Sequence, residues 1–189
     1  MKKNSFLFCL AIALALFSGC GFWDEEEEAD EITAQGGQAQ AAEAKVEIGY
    51  AAPDFEIGLL GGETVKLSDF RGKAAIVNFW ATWSEPCVEE MPDFQRLSDA
   101  FGGDLAVIAI NCGEEEEKVA EFIAQAGYTY SIGLDESGAA QKKYSPGALP
   151  YTVIISPGGT VVGIHIGSGG DMYPVYEKDI ITALKQLGD

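Results

Sequence analysis

The sequence predicts an α/β domain with a central mixed sheet flanked by helices. Three observations carry that prediction. The runs at residues 74–80 and 105–110 are continuously apolar and rich in β-formers, as in strands buried on both faces. Segments with apolar residues at helical spacing fall between and after them. A pair of apolar runs around Pro157-Gly158-Gly159 then reads as an antiparallel hairpin. Strands alternating with helices, closed by a hairpin and a helix, pack as layers around one sheet.

The chain begins with segments outside that domain. Lys2 and Lys3 precede an apolar stretch of about a dozen residues, too short to cross a bilayer core of ~30 Å and of the length of a secretory signal. Phe17-Ser18-Gly19-Cys20 resembles a bacterial lipobox, with Phe where Leu is usual. Residues 1–19 are therefore expected to be a lipoprotein signal peptide, and Cys20 the lipidated first residue of the mature chain. Each acyl chain would contribute ~0.8 kcal/mol per buried CH₂, which anchors the protein to a membrane without a spanning helix. Residues 20–45 hold seven acids in the eight positions 24–31, then a Gln/Ala/Gly stretch. This composition has too little apolar surface to fold, and a flexible tether reaching ~25–30 Å is expected.

Residues 46–189 suit one domain. Two short strands at 55–60 and 64–67 flank Gly61-Gly62 as an N-terminal hairpin extension. After the strand at 74–80, a helix at 86–101 carries Met91, Phe94, Leu97 and Phe101 on one face, with Pro92 inside it as an expected kink. The strand at 105–110 is followed by a helix at 115–126, a short extra strand at 129–134 and a short helix at 139–144. The hairpin pairs 151–156 with 161–166. A last helix presents Tyr176, Ile180, Leu184 and Leu187, with Gly188 as its cap.

This domain has 9 basic and 22 acidic residues, a net charge of −13. Nucleic acid and anionic lipid are poor partners for such a surface. With one histidine and no Cys/His cluster of zinc-ligand spacing, neither a metal nor a cofactor is expected. Of four cysteines, Cys9 leaves with the signal and Cys20 is lipidated. Cys87 and Cys112 remain, each close to the end of a central strand, where α/β sheets place their ligand sites.

The stretch Asn78-Phe79-Trp80-Ala81-Thr82-Trp83-Ser84-Glu85-Pro86-Cys87 resembles the active-site segment of thioredoxins, and in detail that of TlpA/ResA-type membrane-tethered thiol–disulfide oxidoreductases. Residues 49–55 and 67–73 resemble the opening shared with the AhpC/TSA (peroxiredoxin-like) superfamily. Val107 to Asn111 resembles its second central strand, and Gly147-Ala148-Leu149-Pro150 its cis-proline loop. The resemblance covers about residues 48–187 and implies a thioredoxin fold.

It also implies a chemistry that this chain cannot run in full. Family members attack a substrate disulfide with a first cysteine activated at a helix N-terminus, and release product with a second one turn on. Here the first position is Ser84, a good helix N-cap but no disulfide former. The resemblance implies that Cys87 is the second thiol and that Glu90 matches an acidic residue able to take its proton. It further implies that Trp83, Leu149 and a cis Pro150 grip the substrate, with Trp80 packing nearby. The expected function is thiol–disulfide chemistry limited to one thiol, on exported cysteine-containing proteins at the extracytoplasmic face of a bacterial membrane. Two alternatives stay open: a non-catalytic module that binds thiol proteins, and a peroxidase using Cys87. Ser84 and Cys87 have the peroxidatic Ser-x-x-Cys spacing, but Trp80 stands where proline is usual and no arginine follows Arg96. Cys112 is a possible resolving thiol if its Cα lies within about 7 Å of that of Cys87. His165 is either a Cys87 partner or an ordinary half-exposed strand residue.

Overall fold

The computed structural model describes residues 44–167 and 169–186. The signal peptide, Cys20, nearly all of the tether, Leu187 and Gly188 lie outside them. The chain runs β1 (Glu56–Leu59), β2 (Thr64–Lys66), β3 (Ala74–Trp80), α1 (Glu85–Phe101), β4 (Leu105–Cys112), α2 (Glu116–Ala126), β5 (Ser131–Asp135), α3 (Ala139–Tyr144), β6 (Tyr151–Ile155), β7 (Val161–Ile166) and α4 (Tyr173–Lys185). A 3₁₀ turn at Leu67–Phe70 follows β2, so that strand is shorter than its apolar pattern implied.

The seven strands form one sheet in the order β2-β1-β5-β4-β3-β6-β7. β3, β4 and β5 are parallel, and β6 runs antiparallel to both its neighbours, β3 and β7. The N-terminal hairpin joins the sheet through β5, which pairs with β1 on one side and β4 on the other. β4 runs two residues beyond the apolar run because Asn111 and Cys112 find ladder partners in Leu134 and Asp135.

Side chains alternate between the two faces along the central strands, as period 2 requires. Ile76 and Trp80 of β3, Val107 and Ala109 of β4 and Ile154 of β6 face α1, α2 and α4. Val77, Phe79, Ile108, Ile110 and Val153 face the other way, against α3, Phe55 and Ile57. α1 is one helix of 17 residues with Pro92 inside it. α4 ends at Lys185 with Gln186 in the cap position, so its stop does not wait for Gly188.

Candidate functional site

The site forms where β3 ends and α1 begins. Ser84 occupies the N-cap position of α1 with extended backbone, φ −91° and ψ 99°. Its hydroxyl does not cap the helix, contrary to expectation. It instead accepts a hydrogen bond from the Cys87 thiol, at 2.8 Å. One turn of helix brings i and i+3 together, and the serine closes over the sulfur. Cys87 is 0 % exposed and Ser84 only 6 %. Burial raises the Cys87 thiol above its ordinary value, and the serine hydrogen bond opposes that rise without cancelling it. Trp83, one residue earlier, is 70 % exposed. Trp80 is fully buried and packs on Phe122, with ring centroids 5.4 Å apart, so it belongs to the core rather than to the rim.

The loop before α1 is held by a carboxylate that sequence reasoning missed. Glu114 accepts the Thr82 amide (2.6 Å), the Thr82 hydroxyl (2.6 Å) and the Asn111 side-chain amide (2.8 Å), and pairs with Lys118. Burial alone would raise this carboxyl; its hydrogen bonds from Lys118, Thr82 and Asn111 outweigh that and bring it down to about 2. Its only sequence signal is its place, three residues after Asn111 at the end of a central strand.

Leu149-Pro150 is a cis peptide. It immediately precedes β6, whose Tyr151 pairs with Phe79, so it lies at the same end of the sheet as the exit from β3. Leu149 is half-buried, Pro150 is buried, and the Pro150 carbonyl accepts the Gly167 amide at 2.8 Å.

Glu90 is buried, 2 % exposed, one turn beyond Cys87 on α1. Asn78 donates to its Oε1 at 2.7 Å, and the Tyr176 hydroxyl donates to its Oε2 at 2.8 Å. Asn78 also donates to Thr152 Oγ1 at 2.9 Å. Burial pushes the carboxyl up from 4.5 to about 7, against the pull of the Tyr176 and Asn78 hydrogen bonds. Asn78, Thr152 and His165 are register partners across β3, β6 and β7, so they form one polar row beneath α1 and α4. His165 ends that row away from Cys87. Its Nε2 lies 2.8 Å from Asp179 Oδ2 and its ring packs edge-on to Tyr176. It is no catalytic partner of the thiol.

Cys112 sits on the opposite side of the sheet. It continues the β4 positions Ala106, Ile108 and Ile110, whereas Cys87 packs with the α1 layer. Both thiols are free. Burial and the neighbouring Asp135 push the Cys112 thiol up to about 12. Strand alternation directs the Cys112 side chain to the layer opposite that of Cys87, at the same end of the sheet. The two arginines are also engaged elsewhere. Arg96 pairs with Asp93 at 2.8 Å and stacks on Tyr173, and Arg71 packs against Gly159 at the β6–β7 turn. Neither supports a thiolate at Cys87, which removes the main prop of a peroxidase. Among the described residues no group of three His, Cys, Asp or Glu is placed to hold a metal.

A central mixed sheet, a helix that starts on a Ser-x-x-Cys turn and an opposing cis-proline loop define a thioredoxin-fold protein of the thiol–disulfide oxidoreductase kind. The chain belongs to the AhpC/TSA family, whose model matches residues 48–164. It is 33 % identical over 163 residues to the thiol-disulfide oxidoreductase ResA of Bacillus cereus, covering 86 % of this chain and 88 % of that one. A thiol:disulfide interchange protein of the thioredoxin family from Chlorobium tepidum superposes with a TM-score of 0.62 at 25 % identity, covering 75 % of this chain and 99 % of that one. The exposed lipoprotein thioredoxin of Streptococcus pneumoniae does so with a TM-score of 0.60 at 25 % identity, covering 69 % and 99 %.

Proposed function

We propose that this protein is a lipid-anchored, extracytoplasmic member of the thiol–disulfide oxidoreductases that holds exported cysteine-containing proteins and is limited to monothiol chemistry at Cys87. Trp83, Leu149 and Pro150 form the gripping surface, and Glu90 takes the thiol proton. Residues 1–19 are the signal peptide, Cys20 carries the lipid and residues 20–45 are the spacer. The similarity to a pneumococcal exposed lipoprotein thioredoxin supports that placement. No helix of the described residues is long and apolar enough to cross a membrane.

The observation that carries the reading is the Ser84–Cys87 hydrogen bond. The second thiol of the family's pair is in place, and the attacking thiol is replaced by a hydroxyl. A hydroxyl forms no mixed disulfide, so the two-step exchange cannot start at Ser84. Ser84→Cys should therefore create insulin-disulfide reduction that the parent lacks. Equal rates for the two proteins would sink the proposal. For the monothiol step, intact mass after oxidised glutathione should show one adduct, located at Cys87.

The burial of Cys87 favours a second reading, a binding module with no turnover. Under it, the folded protein gains no glutathione at Cys87, while Ser84→Cys still restores reduction.

A further inference from the structure

Glu90 is held by more of the fold than a helix carboxylate requires. Asn78 uses both hydrogens of its side-chain amide, one on Glu90 Oε1 and one on Thr152 Oγ1. Its own Oδ1 is left buried without a partner. An orphaned buried acceptor is unfavourable, and such groups tend to mark places where something other than stability decides the residue. The other six residues of β3 are all apolar, so the strand itself does not call for an asparagine. From the far side, Tyr176 reaches out of α4 with its ring against Phe94 and His165, at centroid distances of 5.4 and 5.2 Å. That packing delivers its hydroxyl to Glu90 Oε2.

We propose that Tyr176 and Asn78 are positioning residues of the redox site, which fix the Glu90 carboxylate one turn from Cys87 so that it receives the thiol proton when the sulfur reacts. This rests on Cys87 being the reacting sulfur. The two residues clamp opposite oxygens of the carboxylate, and they come from β3 and α4, elements that α1 alone does not control. Every titratable or charged neighbour of Glu90 bears on its proton. Cys87 and Asp93 share its helix, and Tyr130, whose hydroxyl lies 3.5 Å from the Met91 carbonyl, approaches from the segment before β5. His165 and Asp179 lie behind Tyr176. Burial brings Glu90 to about 7, where it can both take and return a proton.

Iodoacetamide tests this without a natural substrate. The Cys87 proton passes to the Glu90 carboxylate, sulfur forms the new bond to carbon and iodide leaves. On the full chain, Cys87 alkylation is followed by peptide mass from pH 5 to 9, alongside a ¹³C titration of the Glu90 carboxyl. In the parent, one limb of the alkylation profile should track the Glu90 titration. Tyr176→Phe keeps the ring packing and removes the donor to the charged form. It should move the Glu90 midpoint and that limb upward together, by about one pH unit, a tenfold change in the protonation equilibrium. Asn78→Leu should act in the same direction. In a Glu90→Gln background the limb should vanish and Tyr176→Phe should change nothing further. A Tyr176→Phe effect of equal size in that background makes Tyr176 a packing residue and overturns the proposal. A reactive Cys87 with an unmoved Glu90 titration overturns it as well. A Cys87 inert at every pH overturns the monothiol reading and takes this proposal with it.

Discussion

A carboxylate in the core is tolerated only where its lone pairs are met, and Glu90 shows what happens when one donor is lost. Asn78→Leu leaves Oε1 without its donor. The expected cost is about 1–3 kcal/mol in urea unfolding, larger at pH 8, where Glu90 is ionised, than at pH 5. Adding Glu90→Leu should recover most of that loss, because an apolar replacement of a buried polar network is often close to neutral. Little of this network was legible in the sequence. Glu90 was identified by its resemblance to a family position, but Asn78 entered only as one letter of a motif and Tyr176 only as part of a helical stripe. A lone polar residue in an all-apolar strand needs a partner, and only the pairing of Asn78 with Thr152 says which face it shares. Ser84 was misjudged for a related reason: its extended backbone is that of an N-cap, yet the thiol one turn on claims its oxygen.

At the level of elements, β3, α3 and β7 lie where the sequence pattern put them, because each is bounded by a change of composition. β4 and β5 end later than their apolar runs, at Cys112 and Asp135, because their last residues pair with each other, while β5 starts only at Ser131, two residues after its expected start. The packing of α4 on β7 has a sequence requirement that no pattern announced. A Cβ on Gly163 would collide with Asp179 Oδ2 and lie 3.3 Å from His165 Nε2. The missing side chain is the room in which the histidine–aspartate pair sits. Gly163→Ala should therefore destabilise the protein by about 1–3 kcal/mol, the usual range for overpacking, as a lower melting temperature. It should also weaken the hold of α4 on Tyr176, so the Glu90 titration should respond to it.

Across the whole molecule, two carboxyls give stability opposite dependences on pH. Glu90 lies above its ordinary value, so between about 4.5 and 7 the folded chain keeps a proton that the unfolded chain has released. Its contribution is full below 4.5 and is lost as pH rises through 7. Glu114 lies below its ordinary value, so its contribution is full above 4.5 and is lost as pH falls towards 2. Unfolding by urea at a series of pH values should show both limbs. Glu90→Gln should flatten the loss between 4.5 and 7, and Glu114→Gln the acid limb. A parent protein with no slope in either window would contradict both assignments.

Cys87 and Cys112 pack with opposite layers of the sheet. This chain keeps one thiol in the layer of α1 and the other in the layer of α3. Among the described residues, a mixed disulfide formed at Cys87 meets no second thiol in its own layer, so an outside thiol has to release it before the site can act again.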